Sequence, residues 1–179
     1  PSGSIDERDQ TPLGEVVLPY PMQIGSGTVD LLLGASHVYQ ADKWSWGAQA
    51  SGVIRLGRND EEYSLGDTLN ATTWFAYNVS RWISTSVRVD YNLWGNINGH
   101  DDRIARFNPG GVPIVPTAQP ELRGGQRVDI LLGINLTMRD GVLKGHRFAI
   151  EGGMPAWQKL EGPQLETDWI ISVGWQYAF

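Results

Sequence analysis

The sequence predicts an all-β chain: a transmembrane antiparallel up-and-down β-barrel of about seven strands, or the C-terminal part of a larger one. Three observations carry this. The last eleven residues, WIISVGWQYAF, alternate large apolar residues (Trp169, Ile171, Val173, Trp175, Tyr177, Phe179) with mostly small or polar ones. Six upstream stretches repeat that alternation at similar length. The connections between them run short, long, short, long. Strand side chains point alternately to opposite faces, and a strand of about 9–11 residues crosses a tilted path through a bilayer.

In chain order, residues 1–27 read as a loop: PSGSIDERDQTPLG has turn residues and charges without a period, and Pro19 and Pro21 interrupt LPYPMQ. A loop of that length makes sense on the surface of a barrel whose preceding strand lies upstream. The first strand covers 28–39, with Val29, Leu31, Leu33 and Ala35 on one face and Asp30, Gly34 and Ser36 on the other; Leu32 is the exception. After a turn at 40–43 the second strand covers 44–56, with Trp44, Trp46, Ala48, Ala50, Ile54 and Leu56 outward. A polar loop at 57–67 leads to the third strand, 68–79. A tight turn at Ser80 and Arg81 leads to the fourth, 82–97. There Ile83, Val87, Val89, Tyr91 and Leu93 oppose Ser84, Ser86, Arg88, Asp90 and Asn92. The longest connection, 98–125, is rich in Pro, Gly and charge. The fifth strand, 127–138, is followed by a turn at 139–145, a sixth strand at 146–157, a polar loop at 158–167 and the closing strand.

Loop parity orients the chain. Outer-membrane barrels have short periplasmic turns and long external loops. A periplasmic C-terminus then makes 57–67, 98–125 and 158–167 external. The charges assign the faces. Asp30, Arg55, Arg88, Asp90, Arg127, Asp129, Arg147, Glu151 and Asp168 all share the side opposite the apolar stripes. An Arg facing lipid at the midplane costs about 2–4 kcal/mol, so these nine are the candidate lumen lining. Arg88, Asp90, Arg127, Asp129, Arg147 and Glu151 are the expected paired network, either filling the interior or touching a solute. The terminal Phe179 with Tyr177 and Trp175 resembles the signal read by the bacterial barrel-insertion machinery.

Composition bounds the alternatives. The chain has 179 residues, enough for one domain, with no Cys, a formal net charge of −6, 22 Gly and 8 Trp. Without Cys no disulfide framework or thiolate site can be argued. Without a basic run there is no signal for nucleic acid. No apolar run reaches a helical span, which says nothing against strands. The chain opens on Pro1 without a signal-like segment, as a processed product or fragment would.

PSGSIDERD, LPYPMQIGSGTVDLLLG, WSWGAQASGVIRLG, LRGGQRVDILLGINL and LKGHRFAIEGGMPAWQKLEGPQLETDWIISVGWQYAF together cover most of the chain. They resemble the family of bacterial outer-membrane transporters labelled meta-pathway of phenol degradation. The resemblance implies a barrel of about twelve strands, of which this chain supplies the C-terminal part. The remaining strands would come from an upstream segment or a second chain, since seven is odd and bacterial single-chain barrels have even counts. It also implies passive passage of small solutes, hydrophobic or aromatic, gated by the 98–125 loop. No cofactor, metal or catalytic residue follows from it.

Other motifs read as structure. His37, His100 and His146 lack metal-ligand spacing. Ser36 and His37 are adjacent, point to opposite strand faces and cannot form a nucleophile pair, so no enzyme is predicted. Asp60, Glu61, Glu62, Asp101 and Asp102 fall in external loops, solvated or bridging lipopolysaccharide through divalent cations. The glycines at 25–27, 110–111 and 124–125 have no helix after them and make no phosphate loop. Two alternatives stay open: a plugged barrel whose external loops bind a partner or build an assembly, and a soluble ligand-binding barrel.

Overall fold

The computed structural model describes residues 3–11, 14–105, 109, 111 and 114–178. The chain is all-β. Its body is one antiparallel sheet of seven strands: β1 Val29–Gln40, β2 Trp44–Leu56, β3 Thr68–Asn78, β4 Ile83–Trp94, β5 Gly125–Thr137, β6 His146–Leu160 and β7 Ile170–Tyr177. Each strand pairs with its neighbours in sequence, so the topology is an unbroken meander. The sheet curls into a half-barrel, and residues from all seven strands line one concave trough of about 1010 Å³. Among the described residues β1 and β7 are the outer strands, each with a single neighbour in the sheet.

Strand positions follow the alternation closely. Pairing at Trp44↔Tyr77, Thr73↔Val89, Val87↔Leu132 and Phe148↔Trp175 keeps the apolar stripes on one face, the convex one. Pairing at Asp30↔Arg55, Asp90↔Asp129 and Glu151↔Ser172 keeps the charged set on the concave face. The convex face is exposed: Leu132 is 67% accessible and Val173 77%.

The larger departures from the sequence expectation are these. The fourth strand ends at Trp94. Ile97 leaves the ladder because it is drawn into an apolar cluster and donates its N–H to the Pro120 carbonyl at 3.1 Å. The sixth strand runs on to Leu160 through a register shift between Pro155 and Trp157. Pro155 cannot donate to a ladder, and it lies beyond Gly153, the last residue of β6 paired with β7. The third difference is in 1–27, which is not all loop: Arg8–Thr11 and Gly14–Val17 form a small antiparallel hairpin, followed by a 3-10 turn at Tyr20–Met22. Four-residue strands are too short to leave a period in the sequence.

The loops are themselves packed. Val17, Tyr20, Tyr63, Ile97, Ile104 and Ala118 form the buried apolar cluster, built from the N-terminal segment and the two loops at 57–67 and 95–124. Tyr20 and Tyr63 meet edge to face, centroids 5.0 Å apart, a geometry that favours aromatic pairs. A two-residue ladder, Tyr63–Ser64 with Asn98–Gly99, ties the loops together.

Candidate functional site: the concave face

Eight of the nine predicted lumen residues lie on the concave face, and most of their charges pair. Arg55 and Asp30 are directly opposite on β2 and β1 and form an ion pair; Asp30 also accepts from Thr28 Oγ1 at 2.7 Å and Ser26 Oγ at 3.0 Å. Arg127 Nε lies 2.9 Å from each oxygen of Asp129. The hydrogen bond goes to Oδ2, leaving Oδ1 without one, and the residue is only 1% exposed. Arg127 also donates to Thr167 Oγ1 at 2.6 Å. Arg88 reaches from β4 to β6, its Nε 3.0 Å from Glu151 Oε1. Gly133 on the intervening β5 is where the wall is tight: a Cβ there would sit 2.4 Å from Ser86 Oγ.

Two charges have amide partners instead. Asp90 accepts from Asn70 Nδ2 at 2.9 Å and Asn92 Nδ2 at 2.7 Å. Arg147 donates to Asn135 Oδ1 at 3.0 Å. Asp168 is not brought into this set; it is exposed and stands two residues ahead of β7. Phe179 lies outside the described residues.

Sequence parity did not single out the concave face's own apolar members. Trp74 lies inside, its ring edge so close to Gly47 that a Cβ there would be 2.2 Å from Cζ2. The Arg88 guanidinium carbon is 5.5 Å from its ring centroid. Leu131, also inside, is buried. The one available signal was a Trp or Leu among polar residues of the same parity.

The convex face is banded. At the turn end Tyr39 packs on Trp44 at 5.2 Å and Trp44 on Phe75 at 5.7 Å. On the far side of the sheet His146 stacks on Trp175 at 5.8 Å and accepts its Nε1–H at Nδ1, 2.9 Å away. Tyr177 lies 4.8 Å from the same imidazole, so His146 and two of the three predicted insertion-signal residues form one aromatic cluster. The middle of the face is aliphatic, with Val87, Val89, Ile130, Leu132, Ile134, Ile150 and Val173 exposed. Trp157, opposite Val128, stands toward the loop end. From Phe148 to Trp157 is nine residues, about 23 Å of height at a strand rise near 3.4 Å and a tilt near 40°.

In the loops, Arg103 is the electrostatic centre. It holds Asp101 through Nε at 3.0 Å and Nη2 at 2.8 Å, approaches Glu61 at 2.9 Å, and pairs with Asp6. Burial raises the pKa of the Asp101 carboxyl, but the hydrogen bonds and charge of Arg103 outweigh it and hold the group below the usual carboxylate range. The same bonds to Asp101 push Arg103 further up. Burial raises the Tyr63 phenol.

These features define an all-β protein with a curled seven-stranded antiparallel sheet, polar and charge-paired inside and apolar outside. Comparison with family models, curated proteins and solved structures finds no match for the chain.

Proposed function

We propose that this chain is part of a bacterial outer-membrane β-barrel that lets small apolar or aromatic solutes pass by diffusion along its lumen, as the family resemblance implies. The observation that carries the reading is the inversion of the two faces. The charged residues Arg88, Asp90, Arg127, Asp129, Arg147 and Glu151 face a trough of about 1010 Å³, while the convex face is aliphatic between aromatic ends. A soluble barrel has the opposite sense. The banding spans a height close to the roughly 25 Å apolar band of outer-membrane barrels. Lipid would contact the convex face, and lipopolysaccharide would surround the acidic loops. The C-terminus would be periplasmic, where the insertion machinery would read Trp175, Tyr177 and Phe179. The two outer strands would pair with strands from an upstream segment or a second chain.

The pairing of nearly every lumen charge favours one other reading, a plugged barrel whose loops bind a partner. Fractionation of cells producing the native protein separates these from a soluble barrel. The transport reading expects outer-membrane location, extraction only by detergent, and swelling of liposomes into which the protein is reconstituted. Recovery in the detergent-free soluble fraction overturns the membrane reading. Outer-membrane location without any flux leaves the plugged barrel.

A further inference from the structure

The convex face has a groove. Two neighbouring rows of it, read from β3 to β7, are Tyr77–Thr85–Ile134–Ile150–Val173 and, one step toward the loops, Phe75–Val87–Leu132–Gly152–Ile171. Thr85 and Gly152 are the small residues among large ones, and the surface sinks around them. The depression holds about 650 Å³ and is bounded by Phe75, Tyr77, Leu132, Ile134, Ile150 and Ile171, within the range of about 300–1,000 Å³ usual for ligand clefts. Crowding does not explain the glycine, since a Cβ on Gly152 would meet no atom closer than 3.7 Å.

Cations stand at the turn end of this groove. β4 and β5 are neighbours, and the Thr137 N–H donates to the Trp82 carbonyl at 2.8 Å. The turn that enters β4 and the turn that leaves β5 are therefore side by side. The first carries Arg81 and the second Lys144. Both are exposed, and among the described residues neither side chain makes an ion pair or a hydrogen bond. Arg139 and Asp140 offset each other in charge in the second turn, so the two turns together are cationic. Trp82, beside Arg81, is 58% exposed, as suits an indole at a membrane interface. Thr85 lies four residues along the chain from Arg81, about 10 Å deeper at a strand rise near 3.4 Å and a tilt near 40°. An apolar groove with cations at its interfacial end complements a lipid with an anionic head. It does not complement a second copy in the same membrane, which would bring its own cations to the same height.

We infer that this groove is a binding site for one anionic phospholipid of the leaflet at the turn end, with its phosphate between Arg81 and Lys144 and an acyl chain lying over Thr85 and Gly152. The inference rests on the membrane reading above and adds to it a lipid site on the outer wall, independent of what passes along the lumen.

The test uses the full-length native protein in vesicles of equal phosphatidylglycerol and phosphatidylcholine, with Arg81→Gln/Lys144→Gln and Thr85→Phe beside the wild type. Heat-modifiable migration verifies that each is folded. Native mass spectrometry then counts the lipids kept after extraction into mild detergent. The wild type is expected to keep one phosphatidylglycerol in preference to phosphatidylcholine. Arg81→Gln/Lys144→Gln should lose that preference by about fivefold per cation, the weight of one Lys or Arg beside an anionic surface. Thr85→Phe fills the groove and should lose the lipid with both cations in place. Equal retention of the two lipids by the wild type overturns the proposal, and so does a Thr85→Phe protein that keeps its phosphatidylglycerol. A lipid-free wild-type dimer that Thr85→Phe dissociates gives the groove to a second copy and likewise overturns it. Each of these outcomes leaves the membrane reading intact; that reading fails separately, when the protein is recovered without detergent.

Discussion

Arg103 does the work of several side chains, because its guanidinium is planar and its donors are fixed in a fork that suits carboxylates. It joins Asp6 of the N-terminal segment, Glu61 of the 57–67 loop and the fully buried Asp101 of its own loop. Removing one partner of a buried pair leaves the other charge uncompensated, which costs about 3–5 kcal/mol. Arg103→Ala is accordingly expected to destabilise the packed loops by about that amount while the strands keep their protection, as read by amide hydrogen exchange. The pH dependence follows from Asp101. Its folded pKa lies below its ordinary value of 3.8, so its stabilisation is complete above that value and is lost as pH falls through the folded pKa. The loops should hold from neutral pH down to about 4 and loosen below it; the amide exchange of Tyr63 and Arg103 measures this. Loosening between pH 7 and 5 would point to some other group.

At the scale of the element, β7 offers the sharpest contrast. Ser172 and Val173 are consecutive and face opposite ways, Ser172 opposite Glu151 on the concave side and Val173 opposite Ile150 on the convex side. If the convex face meets lipid, Val173→Arg should cost about 2–4 kcal/mol near the midplane, while Ser172→Arg should cost little, with Glu151 beside it. Denaturant titration of the native protein in lipid vesicles reads both. Equal and small effects would sink the membrane assignment, since an exposed valine facing water tolerates Arg. The alternation within β7 and the other six strands was legible from sequence, and so was the face that Arg147 shares with Arg55, Arg88, Arg127 and their acidic partners. The Arg88–Glu151 pair was not legible. It jumps over β5, and only the register, which sets Arg88 opposite Leu131 and Glu151 opposite Gly133, brings the two strands into reach of each other. Asp168 had the right parity but no strand to orient it.

For the whole molecule, the outer edges of β1 and β7 are the main unfinished feature. Each presents a row of backbone donors and acceptors, and in hydrocarbon every such group left without a partner costs several kcal/mol. Under the membrane reading both edges must pair. The native polypeptide extracted in detergent is therefore expected to have an intact mass well above the 19.8 kDa of this chain, or to copurify with a second chain that completes the barrel. A lone species at 19.8 kDa in the outer membrane would require the two edges to meet each other, and the half-barrel would have to close further than it does here.

The sequence by itself determined which residues share a face and where the turns lie, because side chains alternate with a period of two whatever the strand pairs with. That sufficed for the all-β class, the seven strands and the segregation of charge from apolar surface. Only the tertiary structure decided which residues on a face meet. Register brought Arg88 to Glu151. The packing of separate loops buried Asp101 under Tyr20 and Tyr63 and withdrew Ile97 from its strand. Those contacts join residues far apart in the chain, with no period to announce them, and they form because apolar side chains and buried charges find partners only once the strands have folded beside one another.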